Sequence, residues 1–269
     1  LSPIVAKEYE IAFGKARNEG EAINQFEIER AAYHPITGAV YIPGSAFKGM
    51  VRTTWLEHLA TKEKSKITQL RPGKNLGKEY ERELLNGFEK DPMRLFKPGD
   101  FMPQGNNVYS VVQYSINKYK KQPEDATKDP MGLKVRRECI VEGQYRAFCS
   151  STVLQQTLGK ISVSQLSIRE LAKKCNQYYL KRFHQECSLM MNRGFLNIDW
   201  WQSTKALLSA LDSKLQAGDL MLVRLGKNTG AESKTDDQFA SIKIMQGKNK
   251  EHKFEKQTTT LWLASDGDT

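Results

Sequence analysis

Residues 41–52 of this chain read Tyr41-Ile42-Pro43-Gly44-Ser45-Ala46-Phe47-Lys48-Gly49-Met50-Val51-Arg52. The stretch combines a short apolar strand, a Pro-Gly turn and a serine of the kind that opens helices. Apolar residues then recur at helical spacing, which predicts an amphipathic helix from Ser45 to about Ala60. The predicted buried face of this helix consists of Phe47, Met50, Val51, Thr54, Trp55, His58 and Leu59.

The start of this predicted helix has the chemistry of a phosphate site. Lys48 and Arg52 are four residues apart, so both cations project from one side of the first turns. Free N–H groups and the positive end of the helix dipole attract anions at the same place. Gly44 and Gly49 would let a partner's backbone approach closely. The alternative is an ordinary helix start that carries two solvated cations. The spacing of a P-loop is absent, so nucleotide hydrolysis is not indicated.

The composition of the 269 residues favours a polyanionic partner. A formal net charge of +10 and a pI near 9.3 are typical of proteins that bind nucleic acid or an acidic membrane surface. A mean hydropathy of −0.58 and the lack of a long apolar run or a basic amphipathic surface helix argue against the membrane. We therefore expect no transmembrane helix.

The cysteines and histidines give no sign of a metal or a cofactor. Cys139, Cys149, Cys175 and Cys187 have neither metal-ligand nor redox spacing, which favours reduced thiols in a cytoplasmic protein. The histidines are scattered and lack the Cys/His grouping of zinc sites. We expect no metal site and no cofactor.

The order of the predicted elements indicates the α+β class. A capping box formed by Ser167 and Glu170 predicts one long helix. A second helix is predicted from Thr204 to about Ala217, where Gly218 ends it. Strands are predicted over residues 24–30, 39–42, 108–116, 136–141, 144–154, 219–225 and 258–264.

Two segments of the chain have the composition of insertions. Residues 61–90 are rich in Lys, Glu and Gly, which favours a solvated segment with a short helix around Glu79–Gly87. Residues 117–134 are charged and contain prolines, so we expect a mobile loop. With a helical part near 164–217, these segments would elaborate a single domain that spans residues 1–269.

The motif Tyr-Ile-Pro-Gly-Ser-x-x-Lys-Gly-x-x-Arg at residues 41–52 resembles the hallmark of the RAMP superfamily, the RRM-like subunits of CRISPR effector complexes. In that superfamily the motif lies on the first helix after a hairpin, which is where the residues place it here. The resemblance implies an RRM-like, or ferredoxin-like, RAMP fold with helical and loop insertions.

Three further stretches are similar to one branch of the superfamily, the type III-A (Csm) subunit at the 3′ end of the crRNA. Residues 91–100 resemble that branch's Asp-Pro-Phe-Arg…Val-Ser-Asp pattern, although Met93 and Pro98-Gly99 depart from it. Residues 222–235 resemble its closing strand, Gly-rich loop and Ser-Lys-Thr. Residues 1–4 resemble its opening strand, but residues 5–7 differ.

This resemblance implies a crRNA-binding subunit of a type III effector ribonucleoprotein in antiviral defence. The subunit would cap the backbone filament at the crRNA 3′ end and aid crRNA maturation and complex assembly. Its implied partners are crRNA, target RNA in the assembled complex, a neighbouring backbone RAMP protein and a small helical subunit. Two alternatives stay open: a RAMP endoribonuclease that cleaves target or precursor crRNA, and an internal backbone subunit present in several copies.

The candidate RNA contacts are cations and glycines near predicted turns. Lys227 and Lys234 flank a glycine-rich stretch that could form an anion-binding concavity or an ordinary turn. Arg224 could face RNA or pair with Asp219. The full set consists of Gly44, Ser45, Lys48, Gly49, Arg52, Arg94, Arg136, Arg137, Arg224, Lys227 and Lys234.

Other residues admit a structural interpretation. Asp91 could cap a turn or pair with Arg94 to brace the RNA surface. Trp200 and Trp201 are typical of a core or a subunit interface. Four cations of the first long helix are expected to face solvent, namely Lys173, Lys174, Lys181 and Arg182.

No residue is assigned a catalytic role. Metal-assisted RNA cleavage needs carboxylates close to the scissile phosphate, and none of the loop aspartates has a second carboxylate or histidine at telling spacing. These aspartates are Asp91, Asp100, Asp125 and Asp129. For acid/base cleavage, His34 in the turn before the motif is the one suggestive candidate.

Overall fold

The computed structural model describes residues 1–15, 18, 26–67, 70, 76–105, 108–122, 134–156, 166–235, 237, 240–244 and 253–265. Helices and sheets occur together, so the predicted α+β class is confirmed. The chain divides into two units, each built from separate stretches of sequence. The first contains Leu1–Pro43, Asp100–Ser151 and Thr260–Thr269, and the second contains Gly44–Gly99 and Thr152–Thr259. The single-domain organisation stays a prediction.

The helices and strands of the described residues have the following bounds, in chain order. The helices are α1 (Pro3–Lys15), α2 (Gly44–Lys62), α3 (Lys64–Ile67), α4 (Leu76–Leu85), α5 (Ile168–Asn192) and α6 (Ile198–Ala217). The strands are β1 (Ile28–Glu29), β2 (Phe96–Pro98), β3 (Met102–Pro103), β4 (Ser110–Tyr119), β5 (Lys134–Ile140), β6 (Phe148–Cys149), β7 (Thr152–Leu154), β8 (Ile242–Ile244), β9 (Lys253–Glu255) and β10 (Thr260–Ser265). Short 3₁₀ turns cover Phe88–Lys90, Pro92–Arg94 and Ala231–Lys234.

The first unit is built on a sheet with the strand order β1-β5-β4-β10. Strand β5 pairs with β4 in an antiparallel ladder and with β1 in a parallel one, and β10 runs antiparallel to β4. Helix α1 packs on this sheet through the fully buried Val5, beside Phe26, Tyr114 and Ile116. The resemblance of residues 1–4 to an opening strand is wrong for this chain, because Pro3 begins a helix, a position that proline favours.

The second unit is centred on the packing of α2 against α5 and β2. The predicted buried face of α2 is confirmed at Met50, Val51 and Thr54, which are almost inaccessible to solvent. Phe47 and Trp55 pack against the same core while remaining partly exposed. The core of this unit comprises Met50, Val51, Met93, Phe96, Leu166, Leu171, Cys175, Tyr178 and Tyr179.

The predicted strand over residues 219–225 is wrong. The segment packs against the core of the second unit but forms no ladder with a described strand. The side chain of the buried Asn176 on α5 takes the place of a strand partner. It donates to the carbonyls of Leu215 and Leu220 at 2.8 Å each, and it accepts from the backbone N–H of Leu222 at 2.6 Å.

The described part of residues 61–90 is not simply a solvated insertion. Ile67, Tyr80, Leu84 and Leu85 are buried together with residues from the second half of α2. The predicted short helix in this segment is confirmed as α4, and it ends where Asn86 and Gly87 take positive φ angles of 52° and 92°. The prediction of a solvated segment was wrong because the apolar residues are sparse and sit among many charges.

The two long helices follow their capping signals. The Ser167 hydroxyl accepts from the N–H of Glu170 at 3.5 Å, which confirms the predicted N-cap of α5. Helix α6 begins before the predicted Thr204, because Asn197 caps it by accepting from the N–H of Trp200 at 3.0 Å. Gly218 ends α6 with a φ of 78°, as predicted. Within the described ranges, no helix is long and apolar enough to span a bilayer.

The remaining strand predictions differ in their bounds. Strand β4 continues to Tyr119 because residues up to that point pair with β10, so the expected 117–134 loop begins later. Most of that loop lies outside the described residues. The predicted strand 39–42 reduces to isolated bridges, Tyr33 with Val40 and Ile42 with Phe101. The predicted strand 144–154 becomes the short β6 and β7.

Helix α2 begins at Gly44, one residue before the serine that was predicted to cap it. A Cβ atom on residue 44 would lie 2.4 Å from the carbonyl oxygen of Gly99 and 2.6 Å from that of Pro98. The close approach at Gly44 is therefore made by the chain's own backbone at the end of β2. Gly49 differs, since it is exposed and a Cβ there would meet nothing within 4 Å.

The two glycines of the motif should respond oppositely to substitution by alanine. Gly44→Ala should lower the free energy of unfolding by about 1–3 kcal/mol, because the turn at residues 98–99 must move away. Gly49→Ala should raise it by about 0.5–1 kcal/mol, because alanine favours the helix and meets no obstacle. Urea denaturation of both variants tests this, and changes of the same sign would contradict the contact at Gly44.

Candidate nucleic-acid interface

The first turns of α2 carry a concentration of positive charge. Ser45 and Gly49 are exposed, and Lys48 is half-buried between them. Burial lowers the pKa of the Lys48 ammonium, and the positive charges of Arg52 and Lys97 lower it further against the opposing effect of Asp91. The three cations thus lie close enough to repel one another, and a phosphate would relieve that repulsion.

Lys97 was missed as a candidate by the sequence interpretation. It lies on β2, directly before the Pro98-Gly99 turn that touches the start of α2. Its side chain is exposed and donates to the amide oxygen of Gln155 at 2.7 Å. The signal in the sequence was a lysine beside a turn that resembled a family pattern, but nothing in the sequence placed that turn next to the motif.

Arg52 points toward the protein rather than standing free on the surface. Its guanidinium forms ion pairs with Asp91 and with Glu81, the latter at 3.0 Å. Partial burial lowers the pKa of Arg52, but the hydrogen bonds to these two carboxylates outweigh it and raise the pKa above its ordinary value. The arginine of the motif therefore connects α2 to α4 and to the turn at residue 91.

Asp91 has the capping role that the sequence suggested, with a different ion-pair partner. It is 4% exposed, and its carboxylate accepts from the N–H of Met93 at 2.9 Å at the start of a 3₁₀ turn. The alternative, a pair with Arg94, does not form, because Asp91 pairs with Arg52. Arg94 instead donates to the carbonyl of Glu89 at 3.3 Å and lies 4.5 Å from the centre of the exposed Phe88 ring.

The glycine-rich loop, residues 226–235, presents both of its candidate lysines to solvent. Lys227 and Lys234 are exposed, the second at the end of a 3₁₀ turn. Gly226 and Gly230 have φ angles of 125° and 81°, which other residues rarely adopt. The predicted anion-binding concavity stays a prediction.

Arg224, just before this loop, is held by a bidentate pair with Glu186 of α5, with the Nη2–Oε1 distance at 3.0 Å. The alternative pairing of Arg224 with Asp219 does not form, because Asp219 pairs with Arg169 at 3.0 Å. The structure does not bring Arg224 together with another cation of the candidate set at a described contact.

Arg136 and Arg137 are neighbours on β5, so their side chains point to opposite faces of the sheet in the first unit. Arg136 donates to Glu8 of α1 at 2.9 Å and lies 4.0 Å from the centre of the Phe26 ring. Arg137 pairs with Glu29 and donates to the hydroxyl of Ser115 at 3.0 Å. Both guanidinium groups are engaged within the first unit.

Arg182 corrects the expectation that the cations of α5 face solvent. Lys173 and Lys181 are exposed, as expected, but the Arg182 side chain is 6% exposed and pairs with Glu57 and Asp237 at 3.0 Å each. Its partners lie on other elements, which helical periodicity alone does not reveal.

Lys174 is half-buried, with its ammonium 2.9 Å from Nε2 of His58. Trp200 and Trp201 pack on Phe183, with ring centres 6.2 and 5.8 Å away. These aromatic rings lie at the contact between α5 and α6, but Trp200 is still 38% exposed, so it is not enclosed in a core.

The structure places three of the residues considered for RNA cleavage, namely His34, Asp91 and Asp100. The Nδ1 atom of His34 accepts from the N–H of Thr37 at 3.3 Å within its own turn. Asp91 is occupied by Arg52, Asp100 is exposed, and Asp125 and Asp129 lie outside the described residues. Among the residues that the structure describes, no group of three His, Cys, Asp or Glu side chains could hold a metal ion.

Comparison with known proteins supplies a family. The model of the RAMP superfamily matches residues 13–230. No curated protein matches the sequence. The crystal structure of T. onnurineus Csm5 is similar with a TM-score of 0.49 and 14% identity, over 75% of this chain and 64% of that one. A chain of the cryo-EM structure of a type III-A Csm–crRNA–target RNA ternary complex gives a TM-score of 0.46 and 15% identity, over 85% of this chain and 71% of that one.

The ion pair beneath the motif can be tested apart from any RNA. Arg52→Ala should destabilise the protein by about 2–3 kcal/mol, because the buried Asp91 carboxylate loses its cation. The loss is smaller than for a fully buried pair, because a quarter of the Arg52 side chain is exposed to solvent. Adding Asp91→Asn should restore most of this loss, since the neutral amide oxygen can still accept from the N–H of Met93.

The matched control is Arg94→Ala, which should cost less than about 1 kcal/mol because that guanidinium rests on an exposed ring. Thermal and urea unfolding measure all three variants. Equal losses for Arg52→Ala and Arg94→Ala, with no recovery in the double variant, would contradict the bracing role of Arg52.

Proposed function

This chain belongs to the RAMP superfamily, and we propose that it binds crRNA as a subunit of a type III CRISPR effector ribonucleoprotein. An RRM-like α+β fold accords with this membership. The proposal depends most on the cations gathered at the first turns of α2, where Lys48 stands close to Lys97 and Arg52. The formal net charge of +10 supports a polyanionic partner.

Binding of this kind would be directed at the RNA backbone. A guide RNA of any sequence has to be held through phosphates and sugars rather than base edges. In the proposal, Lys48, Lys97 and the hydroxyl of Ser45 contact phosphate, and Gly49 leaves space for the approaching backbone. Gly44 and Arg52 contribute by holding the first turns of α2 in place.

The other candidates have unequal parts in the proposal. Lys227 and Lys234 are exposed and supply a second basic surface. Arg94 lies on an exposed ring and can reach RNA without leaving a carboxylate. The remaining arginines are tied to glutamates and would have to leave them, so we give them a smaller share: Arg136, Arg137 and Arg224.

The finer proposal is a type III-A subunit that caps the backbone filament at the crRNA 3′ end. It rests on the sequence resemblance of residues 91–100 and 222–235 to that branch. The proposed partners are crRNA, target RNA in the assembled complex, a neighbouring backbone RAMP protein and a small helical subunit.

Lys48→Ala and Lys97→Ala should each weaken RNA binding about three- to tenfold, for every RNA sequence alike. Each should also reduce the slope of log affinity against log salt by about one, because one phosphate contact is lost. Fluorescence anisotropy with single-stranded RNAs at several salt concentrations measures both quantities. Lys173→Ala on α5 is the matched control, an exposed lysine outside the candidate surface, and it should change neither. Unchanged affinity and slope in both test variants would contradict the phosphate role.

Purification of the tagged protein from its host tests the capping role. We expect co-purified repeat-spacer RNAs with sharply defined 3′ ends and one copy of this chain per complex. Several copies per guide would replace the cap by an internal backbone subunit. Heterogeneous cellular RNA, or none, would contradict the proposed function as a whole.

A further inference from the structure

Two carbonyl groups of the glycine-rich loop are held by side chains from the middle of α5. The phenol of Tyr178 donates toward the carbonyl oxygens of Glu232 at 3.3 Å and Thr235 at 3.0 Å. Arg182, one turn further along α5, reaches the same two carbonyls: its Nε atom donates to that of Glu232 at 3.0 Å, and Nη2 donates to that of Thr235 at 3.2 Å. Side chains of α5 thus hold the 3₁₀ turn of the loop at its second residue and at the residue that follows it.

Arg182 also connects this loop to the motif helix. The guanidinium stacks on the ring of Tyr178, with Cζ 3.3 Å from the ring centre. It pairs with Glu57 of α2 and with Asp237 beyond the loop, at 3.0 Å each. A guanidinium that is 6% exposed must have its charge and its donors satisfied, so these partners are bound together rather than incidentally near.

Other bonds add to the shape of the loop, and two of its residues, Thr229 and Ser233, are buried. Its own bonds include Ser233 N–H to the carbonyl of Gly230 at 3.3 Å and the Thr235 hydroxyl to the carbonyl of Ala231 at 3.1 Å. The Glu232 carboxylate also accepts from the hydroxyl of Thr258 at 2.7 Å. A glycine-containing loop loses much conformational entropy when it is ordered, so side chains that order it before RNA arrives reduce the cost of binding.

We propose that Tyr178 and Arg182 form a latch that positions the basic loop for RNA, acting through Lys227 and Lys234 rather than touching RNA themselves. This inference rests on the proposed function. The latch would set the two exposed lysines of the loop at a fixed place relative to α2. Burial raises the pKa of the Tyr178 phenol, which therefore keeps the proton that it donates.

Tyr178 offers a conservative test with a matched control beside it. Tyr178→Phe removes the one hydroxyl that donates to the two loop carbonyls and keeps the ring beneath Arg182. Tyr179→Phe removes a phenol of the same helix that is buried and has no hydrogen-bond partner among the described residues. Removing such an unpaired hydroxyl should leave stability unchanged or slightly higher.

Hydrogen exchange of the RNA-free protein is the first readout. Amides of residues 230–235 should exchange several-fold faster in Tyr178→Phe and at the wild-type rate in Tyr179→Phe. The second readout is the affinity for a fluorescein-labelled, mixed-sequence single-stranded RNA, which should fall about three- to tenfold in Tyr178→Phe alone. Arg182→Lys keeps the charge, loses the planar fork and should give a larger effect of the same kind.

A double-mutant cycle separates positioning from general damage to the fold. In a Lys227→Ala/Lys234→Ala background, Tyr178→Phe should cause no further loss of affinity, since the cations that it positions are gone. A full additional loss there would overturn the latch, because the phenol would then be acting elsewhere.

The possible results separate the latch from the proposed RNA binding. Unchanged exchange of the loop in Tyr178→Phe would overturn the latch while leaving RNA binding intact. Faster exchange with wild-type affinity would overturn its role in RNA binding but not the proposed function. No RNA binding by the wild-type chain would overturn the proposed function and this role together.

Discussion

The ion pair between Arg52 and the buried Asp91 determines where the basic surface of α2 stands. Asp91 caps the 3₁₀ turn that leads into β2, and β2 ends in the turn at residues 98–99. That turn lies against Gly44, the first residue of α2. Because Arg52 of the same helix pairs with Asp91, the segment of residues 91–99 contacts α2 at both of its ends. Lys48 lies on α2 and Lys97 lies on β2, so we expect the loss of either contact to displace them.

The motif that identifies the family therefore has two kinds of residues. Gly44 and Arg52 contact the rest of the protein and fix the helix, while Ser45 and Gly49 are exposed and Lys48 is half-buried between them. The division has an electrostatic reason. Cations held near one another repel, and Asp91 and Glu81 partly neutralise Arg52. The uncompensated charge is left to the lysines, which an RNA phosphate could neutralise.

Elements specified by local chemistry could be predicted from the sequence. The cap at Ser167 and the stop at Gly218 depend on neighbours a few residues away, and both are confirmed. The structure of residues 219–225 could not be predicted, because the carbonyl of Leu220 and the N–H of Leu222 bond to Asn176, which is 46 positions from Leu222. A hydrophobic run of that length resembles a strand whether or not a neighbouring strand exists.

In the candidate site too, features set by neighbouring residues could be predicted, and contacts between distant residues could not. Lys48 and its helix follow from spacing alone, but the role of Arg52 depends on Asp91, 39 positions away. Arg182 is a more extreme case, since its partner Glu57 is 125 positions distant. On a helical wheel Arg182 is one more polar residue among lysines, and its burial arises only when α2 and the loop at residues 226–235 pack against α5.

A structure of the chain with bound RNA would test the central claim most directly. The account predicts a phosphate within hydrogen-bonding distance of the ammonium groups of Lys48 and Lys97, with the Arg52–Asp91 pair still in place. An Arg52 guanidinium that has left Asp91 to bind phosphate, with no phosphate at either lysine, would contradict the division between residues that hold the helix and residues that hold RNA.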